Sequence, residues 1–337
     1  MTDPKPSMSD LARKLNVSKT TISFILNGKA KEKRISESLV EKVLAEAANL
    51  GYRPNQFAQS LRTGRTNIIG LMVEDISNPF YASIAKLIEE KVYRNGYKIV
   101  YCSTENDVMR GKEFLTMFST LSVDGCIIAP TLGMEQEIRD MLEKGKSVVL
   151  FDRYFGNDGI DAVMVDNQGG MYQAVEHLAS RGAKNIGLIA LALNDPEKED
   201  RIIGFKKAIA DHGLPTHVFP VPFKWGHEEY LEDISRILTE NQLDAVVFGT
   251  NYLGIAGLEV INQSGLRIPE DIAMVSFDDH DLFRIHRPGI TVVAQPIEAI
   301  AQKVIDTLMQ KLQKPVMVQK PGEVITLPTT LIVRASS

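Results

Sequence analysis

The sequence predicts an all-α helix-turn-helix headpiece with a short hinge helix, followed by a two-lobed α/β body on two doubly wound parallel sheets. Three observations carry this. The first is NVSKTTISFILNG at 16–28, a helix of two or three turns opened by a serine and closed by Asn-Gly. The second is an abrupt change at Asn67 to apolar runs that alternate with stretches of helical period. The third is charge. Residues 1–66 hold twelve Lys and Arg against six Asp and Glu, and the remainder holds 26 against 37, so a basic head precedes an acidic body although the net charge is only −5. Such a head suits a polyanion.

In chain order, Ser7 caps a first helix, with Asp10 three residues on and Leu11, Ala12 and Leu15 on one face. Leu15–Ser18 is a tight turn with Val17 pointing inward. Ser18 caps the second helix, where Thr21, Ile22, Ile25 and Leu26 recur at helical spacing. Neither helix is long enough to be stable alone. Joined, they read as a helix-turn-helix whose second helix enters the DNA major groove, or as a plain αα-corner in a small core. A third helix over 36–50 starts at Ser36, runs Leu39, Val43, Leu44, Ala47 and Leu50 down one side, and stops at Gly51. The loop before it, KAKEKR at 29–34, can lie along phosphates, which position a module without specifying bases. In GYRPNQFAQSLRTGRT at 51–66, Pro54 suits a helix start, and Ala58 and Leu61 fit one or two amphipathic turns that need a support to fold. Leu61 is either a wedge for a minor-groove base step or a linker residue against a domain surface.

From Asn67, strand-like runs at 68–73, 98–102, 125–129, 147–151, 162–166, 185–190, 217–221, 245–249 and 272–277 alternate with helical stretches. That alternation means parallel sheets covered by helices, and the number of strands calls for two lobes. Ligands of such sheets sit beyond the carboxyl ends of the strands. The residues there are Asp75, Ser77, Asn78, Phe80, Thr131, Asp152, Arg153, Asn251, Asp278 and Asp279.

Other chemistries find little support. No apolar run approaches a membrane span and MTDPKPSMSD has no apolar leader core, so a cytoplasmic protein is expected. Cys102 and Cys126 lie in separate apolar runs and read as reduced, buried thiols. Neither a phosphate-binding loop, a dinucleotide fingerprint nor a nucleophile elbow is present, and no cofactor is expected. Asp278-Asp279-His280-Asp281 has metal-ligating residue types, but consecutive loop residues rarely converge on one ion. His177 reads as packed or solvated. The strand-end set offers donors, acceptors and aromatic surface without a base–nucleophile pair, which suits reversible binding of a polyhydroxylated small molecule better than turnover. A transport-type binding protein would need a leader and no basic head, and an enzyme would need a catalytic pair.

Seven collinear blocks then matter together: NVSKTTISFILNG (16–28), GYRPNQFAQSLRTGRTNIIGLMV (51–73), DISNPFY (75–81), VDGCII (123–128), DRIIGFKKAI (200–209), GLRIPEDIAMVSFDD (265–279) and ITVVAQP (290–296). With these the chain resembles the lactose-repressor (LacI/GalR) family of bacterial transcription regulators over essentially its whole length. The resemblance implies a homodimer, with no C-terminal heptad extension for a tetramer, that reads a pseudo-palindromic operator as a repressor. It also implies a periplasmic-binding-protein-like body with a small-molecule effector in its cleft, which sets operator affinity allosterically. The implied divisions are 1–53 headpiece, 54–66 hinge, 67–166 with 295–323 as the N-terminal lobe, and 167–294 with 324–337 as the C-terminal lobe.

By position, Lys19, Thr20 and Phe24 match the family's base-contacting residues and Leu61 its intercalating leucine, which decides for the wedge. Ser18, Thr21, Ser23, Asn27, Tyr52, Asn55, Ala58 and Arg62 complete the implied DNA-facing set. Phe24 is a departure, since that position is commonly polar, and the loop at 28–35 is a few residues longer than the pattern. In the cleft, Arg201 matches the effector-binding arginine, Asp278 the acidic contact and Thr131 a hydroxyl. Asn78, Phe80, Asp152 and Asn251 fall at cleft positions, and Trp225 lies one residue from the usual aromatic platform. Where the purine-responsive member has basic and hydroxyl groups, this chain has NDPEKED at 194–200. Those acids disfavour an anionic effector and favour a neutral sugar over a sugar phosphate or nucleobase.

Overall fold

The computed structural model describes residues 6–52, 64–156, 159–192, 199–224, 226–313 and 322–337. Asn55, Ala58, Leu61, Arg62 and Trp225 therefore lie outside the described residues. The chain divides into two compact units, Met1–Thr66 and Asn67–Ser337.

Among the described residues the first unit has three helices, α1 (Met8–Leu15), α2 (Lys19–Leu26) and α3 (Glu37–Asn49). Ser7 and Asp10 form a reciprocal capping box on α1. Asn16 adopts the left-handed conformation, and Val17 N–H returns to the Ala12 carbonyl at 3.0 Å, which makes the turn tight. Ser18 Oγ accepts from Thr21 N at 3.0 Å to cap α2, and Gly28, at φ +70°, takes the left-handed position beyond its end. Ser36 stands at the start of α3 without a side-chain cap bond. Leu11, Ile22 and Val43, one from each helix, are wholly buried and form the core that no single helix could supply.

Among the described residues the second unit holds twelve strands in two six-stranded sheets. The first contains β1 (Ile68–Val73), β2 (Lys98–Ser103), β3 (Gly125–Ile128), β4 (Ser147–Phe151), β5 (Asp161–Val165) and β11 (Val324–Leu327), in the order β11-β5-β4-β3-β1-β2. The second contains β6 (Ile186–Leu191), β7 (His217–Val221), β8 (Ala245–Phe248), β9 (Ala273–Phe277), β10 (Thr291–Ala294) and β12 (Thr330–Ile332), in the order β12-β10-β9-β8-β6-β7. The orders correspond strand for strand, so the lobes are topological copies except in the direction of the last strand. All pairings are parallel except β12 on β10, so the two doubly wound sheets are parallel apart from one edge strand.

Helices cover both faces. In the first lobe they are α4 (Pro79–Arg94), α5 (Val108–Thr120), α6 (Glu135–Glu143) and α12 (Ile297–Gln313). In the second they are α7 (Asn167–Ser180), α8 (Asp200–Asp211), α9 (Leu231–Glu240), α10 (Asn251–Gln263) and the short α11 (Asp281–Ile285). The chain leaves the first lobe after β5 and re-enters it with α12, whose Ile300, Val304, Ile305 and Leu308 join that core. The third crossing falls between Leu327 and Thr330 and not at 323, because Val324–Leu327 pairs with Ala162–Val165 and closes the edge of the first sheet. Cys102 and Cys126 are free and buried, and burial pushes their thiols up to about 11 and about 12. Gly204 brings α8 onto α7 at backbone distance, where a Cβ would stand 2.2 Å from the Gln168 carbonyl oxygen.

Candidate functional site

Two surfaces gather the candidate residues. On the first unit, capping by Ser18 fixes where α2 begins, so Lys19 and Thr20 stand exposed at its N-terminal turn. Phe24, one turn on, is half-buried with the Lys33 ammonium 5.4 Å from its ring centroid. Thr21 is half-buried and its hydroxyl lies 2.8 Å from that of Ser18. Ser23 departs from expectation: at 9% exposure it faces inward, and Asn27 Nδ2 donates to its carbonyl (2.6 Å) and to its hydroxyl (3.2 Å). Tyr52 packs against the three-helix core, and Asn27 is exposed.

The second surface is a cleft of about 680 Å³ between the lobes. It lies where the strands of both sheets end, as the topology requires. Asp152 follows β4 and Asp278 follows β9, the third strand in each sheet order. Both adopt the left-handed conformation, at φ +66° and +67°, and both donate their N–H to the neighbouring strand, Asp152 to the Val163 carbonyl and Asp278 to that of Val293. Strain of this kind in a non-glycine residue aims each carboxylate out of its sheet into the cleft.

On the first-lobe wall, buried Glu74 pairs with Arg153, whose Nη1 donates to Asn106 Oδ1 at 2.7 Å and whose Nε lies 3.9 Å from Asp152. The Tyr81 hydroxyl donates to Asp152 Oδ2 at 2.6 Å. Burial acts against the Arg153 charge, but Glu74, Tyr81 and Asp152 outweigh it and raise its pKa. Burial raises the Tyr81 phenol well above its ordinary value, and Asp152 and Glu74 add to that, so the phenol stays a donor. On the opposite wall Arg201, in the first turn of α8, donates from Nε to Asn167 Oδ1 (2.9 Å) and from Nη1 to the Gly249 carbonyl (2.5 Å). Its guanidinium lies 3.9 Å from the Phe277 ring centroid. Asp278 accepts from Gln295 Nε2 at 2.6 Å, and burial raises its pKa although Arg201 and Gln295 pull the other way.

One hydrogen bond joins the lobes directly at the cleft: Asn251 Nδ2 donates to Asn78 Oδ1 at 2.9 Å. Asn78 also caps α4 through Phe80 N, and Asn251 Oδ1 accepts from Tyr252 N. Thr131 does not line the cleft. It is buried behind the wall with its hydroxyl 3.1 Å from that of Thr104, and Leu132 takes the lining position. Phe80 lines the cleft, with Tyr81, Tyr154, Phe155 and Tyr252 as further aromatic surface. Asp75 and Ser77 bond to each other outside it. Glu74, Tyr81, Asn167 and Gln295 were not singled out by the sequence reading. Glu74 is the first residue past β1, where the sequence points to Asp75 instead, and Gln295 follows β10, which is not among the strand-like runs.

The acidic run does not assemble. Asp279 pairs with Arg334, the His280 ring caps α11, and Asp281 pairs with Arg284. Among the described residues no group of three His, Cys, Asp or Glu side chains is placed to hold a metal, and no helix is long and apolar enough to cross a membrane. His177 bonds to Ser337 Oγ, and burial lowers its pKa.

The comparisons with known proteins divide along the same two units. Residues 7–55 match the model of bacterial regulatory proteins of the lacI family, and 175–337 match a periplasmic binding protein-like domain. A sucrose operon repressor from Pediococcus pentosaceus is 30% identical over 311 residues, covering 92% of this chain and 93% of that protein. The Lac repressor dimer bound to operator and the anti-inducer ONPF superposes with a TM-score of 0.84 at 22% identity, covering 99% of each chain, which speaks for the fold. A LacI family regulator from Enterococcus faecium with bound ribose gives 0.70 at 27% identity, covering 80% of this chain and 98% of its own.

Proposed function

The chain belongs to the lacI family of bacterial regulatory proteins, a DNA-binding transcriptional regulator with a small-molecule effector, and on that premise we propose that it is an operator-specific repressor whose effector is a neutral sugar. The cleft carries this reading. Its lining has six carboxylates (Glu74, Glu135, Asp152, Glu199, Asp200, Asp278) against three guanidiniums (Arg139, Arg153, Arg201). Such a wall repels phosphate and carboxylate ligands and accepts hydroxyl protons, while the aromatic surface suits the apolar faces of a sugar ring. The relative named for a sucrose operon and the neighbour with bound ribose support the same class.

Binding without turnover then acts through lobe closure. A ligand bridging Asp152 on one lobe and Arg201 and Asp278 on the other favours one separation of the lobes. In a dimer this biases the paired 54–66 segments toward or away from docking on DNA. Two sites linked in this way couple reciprocally, typically by about 1–3 kcal/mol. Such a regulator works beside the chromosome, in the bacterial cytoplasm. Isothermal calorimetry with neutral mono- and disaccharides, their phosphates and purines tests the effector class. Heat from a free sugar and none from the anions is expected, and tight binding of a sugar phosphate or purine with no free sugar binding refutes it.

A further inference from the structure

The loop between α2 and α3 is fixed onto the recognition helix. Lys29 N–H donates to the Phe24 carbonyl at 2.9 Å, so the loop departs one hydrogen bond from that residue. Lys33 N–H returns to the Lys29 carbonyl (3.0 Å) and Ile35 N–H to that of Ala30 (2.9 Å). Ala30 and Ile35 pack against the three-helix core, and Arg34 turns the chain at φ +54°. The backbone that carries the cations of KAKEKR is therefore held in place and does not swing on a tether. Lys33 is seated most specifically, with its ammonium 5.4 Å from the Phe24 ring centroid, inside cation–π range. Its acidic neighbour competes weakly: Glu32 Oε1 lies 3.5 Å away in an exposed pair, the side chains 63% and 43% accessible.

Phe24 by itself offers a groove only apolar contact, suited to a thymine methyl, and no hydrogen bond. The ring beneath Lys33 places three N–H donors beside that contact. We infer that Phe24 and Lys33 form a composite reader, with Phe24 on a pyrimidine C5 edge and Lys33 donating to the N7/O6 edge of a neighbouring purine. This inference rests on the DNA-binding reading above. A lysine held on a ring on the base-reading side of α2 differs from one lying along the phosphates, because it carries sequence information.

The test is operator selection from a randomised duplex pool with the full-length protein, wild type and two variants, followed by titration at several salt concentrations. Lys33 is exposed, so Lys33→Met keeps the stem and should leave the fold intact. Wild-type protein is expected to select a defined half-site. Lys33→Met should lose preference at one base pair and weaken binding to the selected operator about tenfold more than binding to random duplex. Phe24→Leu removes the seat and should relax that same base pair together with its own. A Lys33→Met protein that weakens all sequences equally, with an unchanged half-site, would make Lys33 a phosphate contact and overturn the inference. So would a variant identical to wild type. Indifference of the wild type to every sequence would instead defeat the DNA-binding reading underneath.

Discussion

Replacing Arg153 with methionine isolates the ion pair in the cleft wall. Glu74 has 6% of its side chain accessible and Arg153 30%, and they are bonded to each other. Removing one partner of a buried pair leaves an uncompensated charge, at a cost of about 3–5 kcal/mol. Water already reaches part of Arg153, which discounts the cost to about 2–3 kcal/mol. For a domain of this size each kcal/mol moves Tm by about 2–4 °C, which gives a loss of roughly 4–12 °C. Scanning calorimetry of Arg153→Met beside Glu74→Gln/Arg153→Met separates lost charge balance from lost packing. The double variant should recover at least half of the loss, since no charge is stranded. A single variant within 2 °C of wild type (a threshold of about 0.5–1 kcal/mol), or a double variant no more stable than the single, would mean that the pair is solvated and the wall is held by other contacts.

Three further outcomes follow from particular residues. Gly204→Ala would drive a methyl into the Gln168 carbonyl, so α8 must move off α7; a loss of about 1–3 kcal/mol and a weaker effector site are expected, because Arg201 rides on the same helix. An unchanged melting curve would show that the two helices separate freely. Asp278, raised above 3.8 by burial, takes up its proton earlier on acidification than an exposed aspartate. If its carboxylate accepts effector hydroxyls, affinity falls as pH drops through that raised value. Over the same range the folded state binds the proton more tightly than the unfolded chain, so this group adds stability and weaker binding does not report unfolding. Calorimetric affinity that is flat or rising toward pH 4 would count against the carboxylate role. Leu61→Ala should reduce operator affinity about tenfold or more with little change on random duplex, and equal losses on both would refute the wedge.

The elements with strong local signals were legible in the sequence. Ser7, Ser18 and Gly51 mark helix ends by chemistry that acts over three or four residues, and the helical period of Leu11, Ile22 and Val43 found their core. Asp152 and Asp278 were found from their place after a strand. The C-terminal strands were not. VITL and TLI are three or four residues long and half-exposed, and they are strands only because β5 and β10 offer open edges. The third crossing was misplaced for that reason, and Gln295 stayed hidden behind β10. Thr131 shows another limit: residue type and order put a hydroxyl at the strand end, but only tertiary packing turned it toward Thr104.

The interleaved path of the backbone also constrains how the protein is born. Helix α12, which supplies Ile300, Val304 and Leu308 to the interior of the first lobe, emerges from the ribosome only after the bulk of the second lobe has been made. The usual vectorial order, in which the earlier domain matures while the later one is still being translated, is closed to this lobe. Its nascent β1–β5 must wait with an apolar face uncovered until residue 313 is free. Ser336, buried and bonded to Met274 and Thr291, fastens the second lobe later still. Both lobes therefore reach completion nearly together, once residues 297–337 have all emerged.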